Sequence, residues 1–202
     1  MTPRDYALLA QEAYSATPDI GKADSASRAI VRQTAAGLVV VFPGTDNLDS
    51  VVADLDVHPI DVIGVGQVHH GFWAAWAAIA APVLAAVGGR PVTLVGHSLG
   101  AAIAIMAASA MVAGGSAPSA VYGFEPPRVS TNGSVAALLA KVPLSLYKNG
   151  NDIVPDLPLD WRHAGAIQQI GRATMPFPNV KDHAIARVIM ALSDDQVSSK
   201  TA

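Results

Sequence analysis

Apolar residues fall at helical spacing over residues 3–15, "PRDYALLAQEAYS", and predict an opening helix. A polar stretch with Pro18, Gly21 and Ser25 then leads into "AIVRQT" and "GLVVVFPGT". These β-rich runs, separated by a turn near Gly37, read as an antiparallel hairpin entering a sheet. Residues 46–66 scatter Asp and Pro among Val and Ile and read as irregular. From about Gly71 to Val87 the pattern predicts one long helix, closed by Gly88 and Gly89. "PVTLVG" is a continuous apolar run, as expected of a strand buried on both faces of a parallel sheet. "LGAAIAIMAASAMVAGG" is apolar nearly all round and predicts a helix inside the protein. Beyond it, "AVYGFE", "PLSLYKNG" and "AGAIQQIG" read as strands, the last at an edge, and "SVAALLAKV" and "DHAIARVIMALSDD" as helices. This alternation predicts an α/β sandwich with a mainly parallel central sheet flanked by helices. No repeat or low-complexity linker divides the chain, so residues 1–202 read as a single compact domain.

Composition narrows the partners. Of 202 residues, 51% are hydrophobic and 14% charged, against about 25% charged in ordinary soluble domains. The net charge of -3 and the scattered Lys and Arg give no basic footprint, so nucleic acid is not an expected partner. With no cysteine there is neither a disulfide nor a thiolate metal site. The start "MTPRDYALLAQEAY" lacks the features of a signal peptide, which favours a cytoplasmic protein or else a processed form of a secreted one. "FWAAWAAIAAPVLAAVGG" is too short to span a bilayer and contains Pro82, so no transmembrane segment is expected.

The stretch "LVGHSLGA" places Ser98 between Gly96 and Gly100, where a predicted strand gives way to a predicted helix. This is the G-x-S-x-G pattern in the context it requires. The turn is tight enough that only hydrogen fits at the flanking positions, and it holds the serine at a helix N-terminus whose free N–H groups favour negative charge. The Leu99 N–H is then the first donor of an oxyanion hole. A serine hydroxyl needs a base, usually a histidine oriented by a carboxylate. After Ser98 the sequence offers His163 and His183 as bases, and Asp152, Asp156, Asp160, Asp182 and Glu125 as acids. Asp152, just past a predicted strand end in "YKNGNDIVPDLP", lies where the sites of open α/β sheets gather. His97, His69, His70 and His58 read as structural or partly exposed loop residues, and no metal site is expected among the histidines.

Several segments resemble the class-three lipases of the α/β-hydrolase fold. "VVVFPGT" is similar to their F-R-G-[ST] segment, "ADL" to their D-L, and "VHHGF" to V-H-x-G-F. "VGHSLGAA" is similar to the G-H-S-L-G-G-A elbow and "FEPPRVS" to F-G-x-P-R-V-G. "NDIVPDLP" is similar to D-x-V-P-x-L-P, and "DHAIARVI" to the D-H-x-x-Y region. These run in family order from about residue 38 to 190. The resemblance implies a compact α/β-hydrolase domain with Ser98 as nucleophile, Asp152 as acid and His183 as base. It places Thr45 beside Leu99 in the oxyanion hole and leaves His163 non-catalytic. It implies hydrolysis of carboxylic esters, of the lipase or esterase type, without a cofactor or metal. Phospholipase A or thioesterase chemistry on the same triad is an alternative, and a catalytically silent binding protein of this fold is another.

Residues 46–66 lie where the resembling lipases carry a lid, and Val51, Val52, Ile60, Val62 and Ile63 would form an apolar rim making transient contact with a lipid surface. Departures from the family are Pro43 in place of an arginine and Glu125 in place of a glycine. Glu125 reads either as outward-pointing or as a carboxylate that alters the field near the elbow.

Overall fold

The computed structural model describes residues 1–45 and 58–198. Helix α1 (Pro3–Ser15) opens with Pro3 at its first position and Thr2 as N-cap. Thr2 Oγ1 accepts from the Asp5 N–H at 3.3 Å while Asp5 Oδ2 accepts from the Thr2 N–H at 2.7 Å, a reciprocal cap that fixes the start. Short β1 (Ile20–Gly21), β2 (Arg28–Thr34) and β3 (Gly37–Phe42) follow, joined antiparallel as the hairpin pattern predicts. Strands β6 (Val92–His97), β7 (Ala120–Phe124), β8 (Leu144–Asn149) and β9 (Ile167–Ile170) continue the sheet in parallel, in the order β1-β2-β3-β6-β7-β8-β9.

Both faces of the sheet are covered. Leu38, Val40, Phe42, Val92 and Leu94 point into one core with the central helix α4 (Leu99–Ala113). Val39, Val41 and Val95 point into the other, against α1 and the final helix α6 (Ile185–Ser198). The period-two alternation is therefore apolar on both sides, which is why β3 and β6 read as unbroken hydrophobic runs.

Four expectations are corrected. The long helix over 71–87 is two helices, α2 (His70–Ala77) and α3 (Ala80–Val87), bent by 56°. Pro82 lacks an N–H and its ring clashes with the carbonyl of Ala78, so the helix breaks there. His70, read as a loop residue, opens α2 and is exposed. Residues 59–62 and 66–69, at the end of the segment read as irregular, form β4 (Pro59–Val62) and β5 (Gly66–His69), a two-stranded antiparallel ribbon. Residues 46–57 of that segment lie outside the described residues. Helix α5 (Ser134–Leu138) is shorter than its pattern suggests. No single described helix is long and apolar enough to cross a membrane, and Phe72, Trp76 and Val83 of the bent pair are buried in the core.

Candidate active site

The elbow follows from local sterics. β6 ends at His97, and Ser98 turns the chain into α4 with φ 58° and ψ -127°, a conformation a non-glycine residue adopts at a cost of about 1–3 kcal/mol. A Cβ on Gly96 would collide with the backbone of Gly100, and one on Gly100 with the carbonyls of Phe42 and Pro43 in the adjacent strand end. The turn thus closes only with glycine at both positions. The Ser98 side chain does not cap α4, and the first bond of this turn runs from the Ala101 N–H to the Ser98 carbonyl at 2.9 Å. The N-terminus of α4, beginning at Leu99, therefore opens beside the serine. Ser98 Oγ is buried and makes no hydrogen bond among the described residues.

Asp152 and His183 meet. The ring Nδ1 of His183 and Asp152 Oδ2 are 2.6 Å apart, with Asp152 fully buried and His183 nearly so. Burial pushes the Asp152 carboxyl up, but hydrogen bonds from His183 and Glu125 outweigh it and hold Asp152 below its ordinary value. An ionised carboxylate only accepts, so Nδ1 donates the shared proton, and in neutral imidazole this leaves the lone pair on Nε2, the tautomer that acts as a base.

His97 ties this pair to the elbow. Its Nε2 lies 2.8 Å from the His183 carbonyl, its Nδ1 is 2.6 Å from the Tyr14 hydroxyl, and the two imidazole rings are 4.7 Å apart. A carbonyl only accepts, so Nε2 donates and Nδ1 accepts from Tyr14. Burial, then repulsion from His183, push His97 down to about 3, which keeps it neutral. The residue beside Ser98 is a strut, as its place beneath the turn suggests.

The loops carrying Asp152 and His183 are laced by Asp182. Its Oδ2 accepts from the N–H groups of Asn151 at 2.9 Å and Thr174 at 3.1 Å and from Asn179 Nδ2 at 3.2 Å, and its Oδ1 from the Thr174 hydroxyl at 2.6 Å. Burial raises Asp182, and the hydrogen bonds led by Thr174 bring it below its ordinary value. Val154 N–H bonds Asp152 Oδ1 at 3.1 Å, and Asn149 Nδ2 bonds the Asp182 carbonyl at 2.8 Å. His183 itself lies before α6 rather than in it, correcting the helix expected over 182–195.

The other sequence candidates are elsewhere. Asp156 pairs with Lys148 at 2.6 Å, and Asp160 sits at a turn with φ 65°. His163 Nε2 donates to the Pro155 carbonyl at 2.8 Å, and burial pushes this histidine down to about 4. His69 stacks on Phe72 at 4.0 Å. Thr45 is half-buried just past β3, whose partner β6 leads into the elbow. A Cβ on Gly44 would stand 2.9 Å from the His97 carbonyl and 3.1 Å from Ser98 Cβ, so the segment carrying Thr45 presses on the elbow itself.

Glu125, at the end of β7, is fully buried, which overturns the outward-pointing reading. Its Oε1 accepts from the Asn149 N–H at 2.7 Å, and one of its carboxyl oxygens stands within 4.8 Å of an oxygen of Asp152. Glu125, Asp152 and His183 each offer a ligand atom, all within 4.8 Å of one another. Ligands of one ion, held at roughly 2.0–2.2 Å, stand about 3 Å or more apart. The 2.6 Å contact between Nδ1 and Oδ2 is a direct hydrogen bond, closer than two ligands of one ion would stand, so this pair is not spaced to receive a metal.

The class 3 lipase family matches residues 39–161, a span holding the elbow, the Glu125 strand end and the Asp152 loop. The chain belongs to the class 3 lipase family. The secreted mono- and diacylglycerol lipase A of Penicillium cyclopium and that of Penicillium camembertii are each 30% identical to this chain over 145 residues. The match covers 67% of this chain and 48% of theirs, so the chain spans about half the length of these curated relatives. Both are secreted proteins, and a cytoplasmic location finds no support in them. Among solved structures, a triacylglycerol lipase whose catalytic centre is a serine-protease triad superposes with a TM-score of 0.71 at 22% identity, covering 90% of this chain and 91% of its own. The native propeptide complex of Rhizomucor miehei lipase gives 0.68 at 20% identity, covering 94% and 78%. The fold of this member of the family is the α/β-hydrolase fold.

Residues the sequence did not single out are Tyr14, Gly44 and Asn149, and Asp182 was weighed as an acid rather than a clamp. The "FPGT" glycine carries a local signal for close approach. The others act through contacts between segments far apart in the chain.

Proposed function

We propose that the chain hydrolyses carboxylic esters of lipids through Ser98, His183 and Asp152, by way of an acyl-enzyme. The observation that carries the proposal is the Asp152–His183 contact, hydrogen-bonded through the His183 carbonyl to the histidine next to Ser98. His183 Nε2 takes the Ser98 proton as Oγ attacks the ester carbonyl, and the oxyanion forms beside the Leu99 and Thr45 N–H groups. His183 then gives that proton to the leaving alcohol. In the second half, water attacks the acyl-enzyme with His183 as base, and Ser98 leaves with the proton returned. Asp152 holds the imidazole in the required tautomer and stabilises its positive form. Each oxyanion donor contributes about 2.7–4 kcal/mol to the transition state.

The named substrates of the Penicillium relatives support mono- and diacylglycerols as the class of ester, ahead of phospholipids and thioesters. The same reading takes residues 1–202 as one hydrolase domain and 46–66 as the segment that meets the lipid surface. Ser98→Ala tests it. With mono- and diacylglycerol emulsions, turnover should fall by about 10⁴-fold or more while the thermal midpoint stays near that of the wild type. Undiminished turnover in the variant would remove Ser98 from the chemistry.

A further inference from the structure

Glu125 is a buried carboxyl that the three-residue mechanism does not use. It stands at the C-terminal end of β7, where the family pattern has glycine, and its backbone keeps the left-handed φ of 52° that glycine would favour. The main chain is tied on, with the Glu125 N–H bonded to the Tyr147 carbonyl at 2.9 Å. The side chain turns inward. Oε1 is satisfied by the Asn149 N–H at 2.7 Å, whereas buried Oε2 receives a hydrogen bond from no described donor and a carboxyl oxygen stands within 4.8 Å of one of Asp152.

Two adjoining buried carboxyls do not both ionise, because neither charge is solvated and each repels the other. The donors decide which keeps the proton. Asp152 receives the Val154 N–H on Oδ1 and the His183 Nδ1–H on Oδ2, and Glu125 receives the Asn149 N–H alone. The surrounding charges do not reverse this. On β8, Lys148 is engaged by Asp156 at 2.6 Å, and Tyr147 offers Glu125 its carbonyl. On β6, His97 is neutral and faces His183. Ahead of α6, the Asp182 carboxylate is satisfied by Thr174, Asn151 and Asn179.

We propose that Glu125 is a positioning residue that works as a neutral carboxylic acid, its O–H donating to the Asp152 carboxylate and holding that carboxylate against His183. The inference rests on the reading of Asp152 and His183 as a working pair. Burial first, and Asp152 second, push Glu125 well above its ordinary value, in the same direction as the geometry. The charge of the Glu125–Asp152 pair is then a single negative one, and His183 faces one carboxylate held at both oxygens.

Glu125→Gln keeps an acceptor and a donor and is neutral at every pH, while Glu125→Leu removes both. The experiment reads the pH profile of kcat/KM on a soluble short-chain p-nitrophenyl ester, together with the infrared difference spectrum of wild type minus Glu125→Gln at neutral pH. The wild type should show the carbonyl stretch of a protonated carboxyl that the Gln variant lacks. Glu125→Gln should keep kcat within about threefold and its acid limb unmoved, and Glu125→Leu should lose about 10- to 100-fold in kcat rather than in KM. The proposal is overturned if that infrared band is absent. It is also overturned if the acid limb of Glu125→Gln moves down by about one pH unit or more, the signature of removing a negative charge beside His183. Wild-type kcat in Glu125→Leu would remove the positioning role. The infrared band requires no turnover, so it survives even if Ser98→Ala retains activity and the triad reading fails. It also decides the protonation state if the Leu variant does not fold.

Discussion

Ser98 and Glu125 terminate neighbouring parallel strands with nearly the same backbone device. β6 and β7 pair as far as His97 and Phe124, the Ser98 N–H bonds the Phe124 carbonyl at 2.8 Å, and the next residue on each strand has a positive φ, 58° and 52°. The outcomes differ in what surrounds each side chain. Ser98 stands between two glycines, clear of its own turn, and its hydroxyl has no hydrogen-bond partner among the described residues. Glu125 is followed by Pro126 and Pro127, and its carboxyl is bonded at Oε1 by Asn149 and meets Asp152. One strand end presents an unengaged reacting group, and the other buries an acid against a residue of the same site. A positive φ therefore marks the strained position without saying what it does. The hydrogen-bond inventory of the side chain says that.

Asp152 lies where the two ends meet, and changing it has the larger expected effect. Asp152→Asn keeps the shape but offers His183 an amide in place of a carboxylate, favouring the wrong tautomer. kcat should drop by about 10⁴-fold with little change in KM, measured by initial rates on a soluble ester. A loss of under about tenfold would mean that the Asp152–His183 contact is architectural, and the contrast between the strand ends would lose its chemical meaning.

A smaller effect separates the two ends by titration, since Ser98 does not ionise in the working range. Glu125 is raised above its ordinary value of 4.5 in the fold. Above pH 4.5 the unfolded chain gives up this proton while the native state keeps it. The native state then binds more protons, and stability contributed by Glu125 falls as pH rises until the folded group itself ionises. The slope is at most about 1.4 kcal/mol per pH unit. Glu125→Gln removes it. Urea midpoints at about pH 4, 6 and 8 should show the variant gaining on the wild type as pH increases, with the gap fixed below the unfolded value and again once the folded group has ionised. A gap that stays constant throughout would show that Glu125 titrates alike in both states.

Much of this fold is legible in the chain because its determinants are local. Two-sided burial makes β3 and β6 unbroken apolar runs, Gly88 ends α3 in a left-handed cap, and Gly96 and Gly100 announce the elbow. The break at Ala78 was missed because a proline acts on the carbonyl four residues earlier, so Pro82 marks the fault after it has happened. The ribbon of β4 and β5 was missed because β4 is only four residues long and none of them is fully buried, so its alternation is too short to stand out from the surrounding Asp and Pro. At the site, Ser98 is legible from its own neighbours. The choice of Asp152 and His183 over Asp182 and His163 came from ordered motifs, and spacing could not make it. Asp182 differs from Asp152 only in its donors, Asn151, Thr174 and Asn179, which come from separate turns. Tyr14 reaches His97 across 83 positions of sequence, and no local pattern reports that contact.

The measurement that bears most directly on the central claim is covalent labelling by an alkyl p-nitrophenyl phosphonate, with the adduct located by peptide mass spectrometry. The account predicts a single adduct on Ser98 that displaces one equivalent of p-nitrophenol and abolishes ester turnover in step with its formation. An ester-hydrolysing preparation whose adduct lies on another residue, or whose Ser98 stays unlabelled while turnover continues, would contradict it.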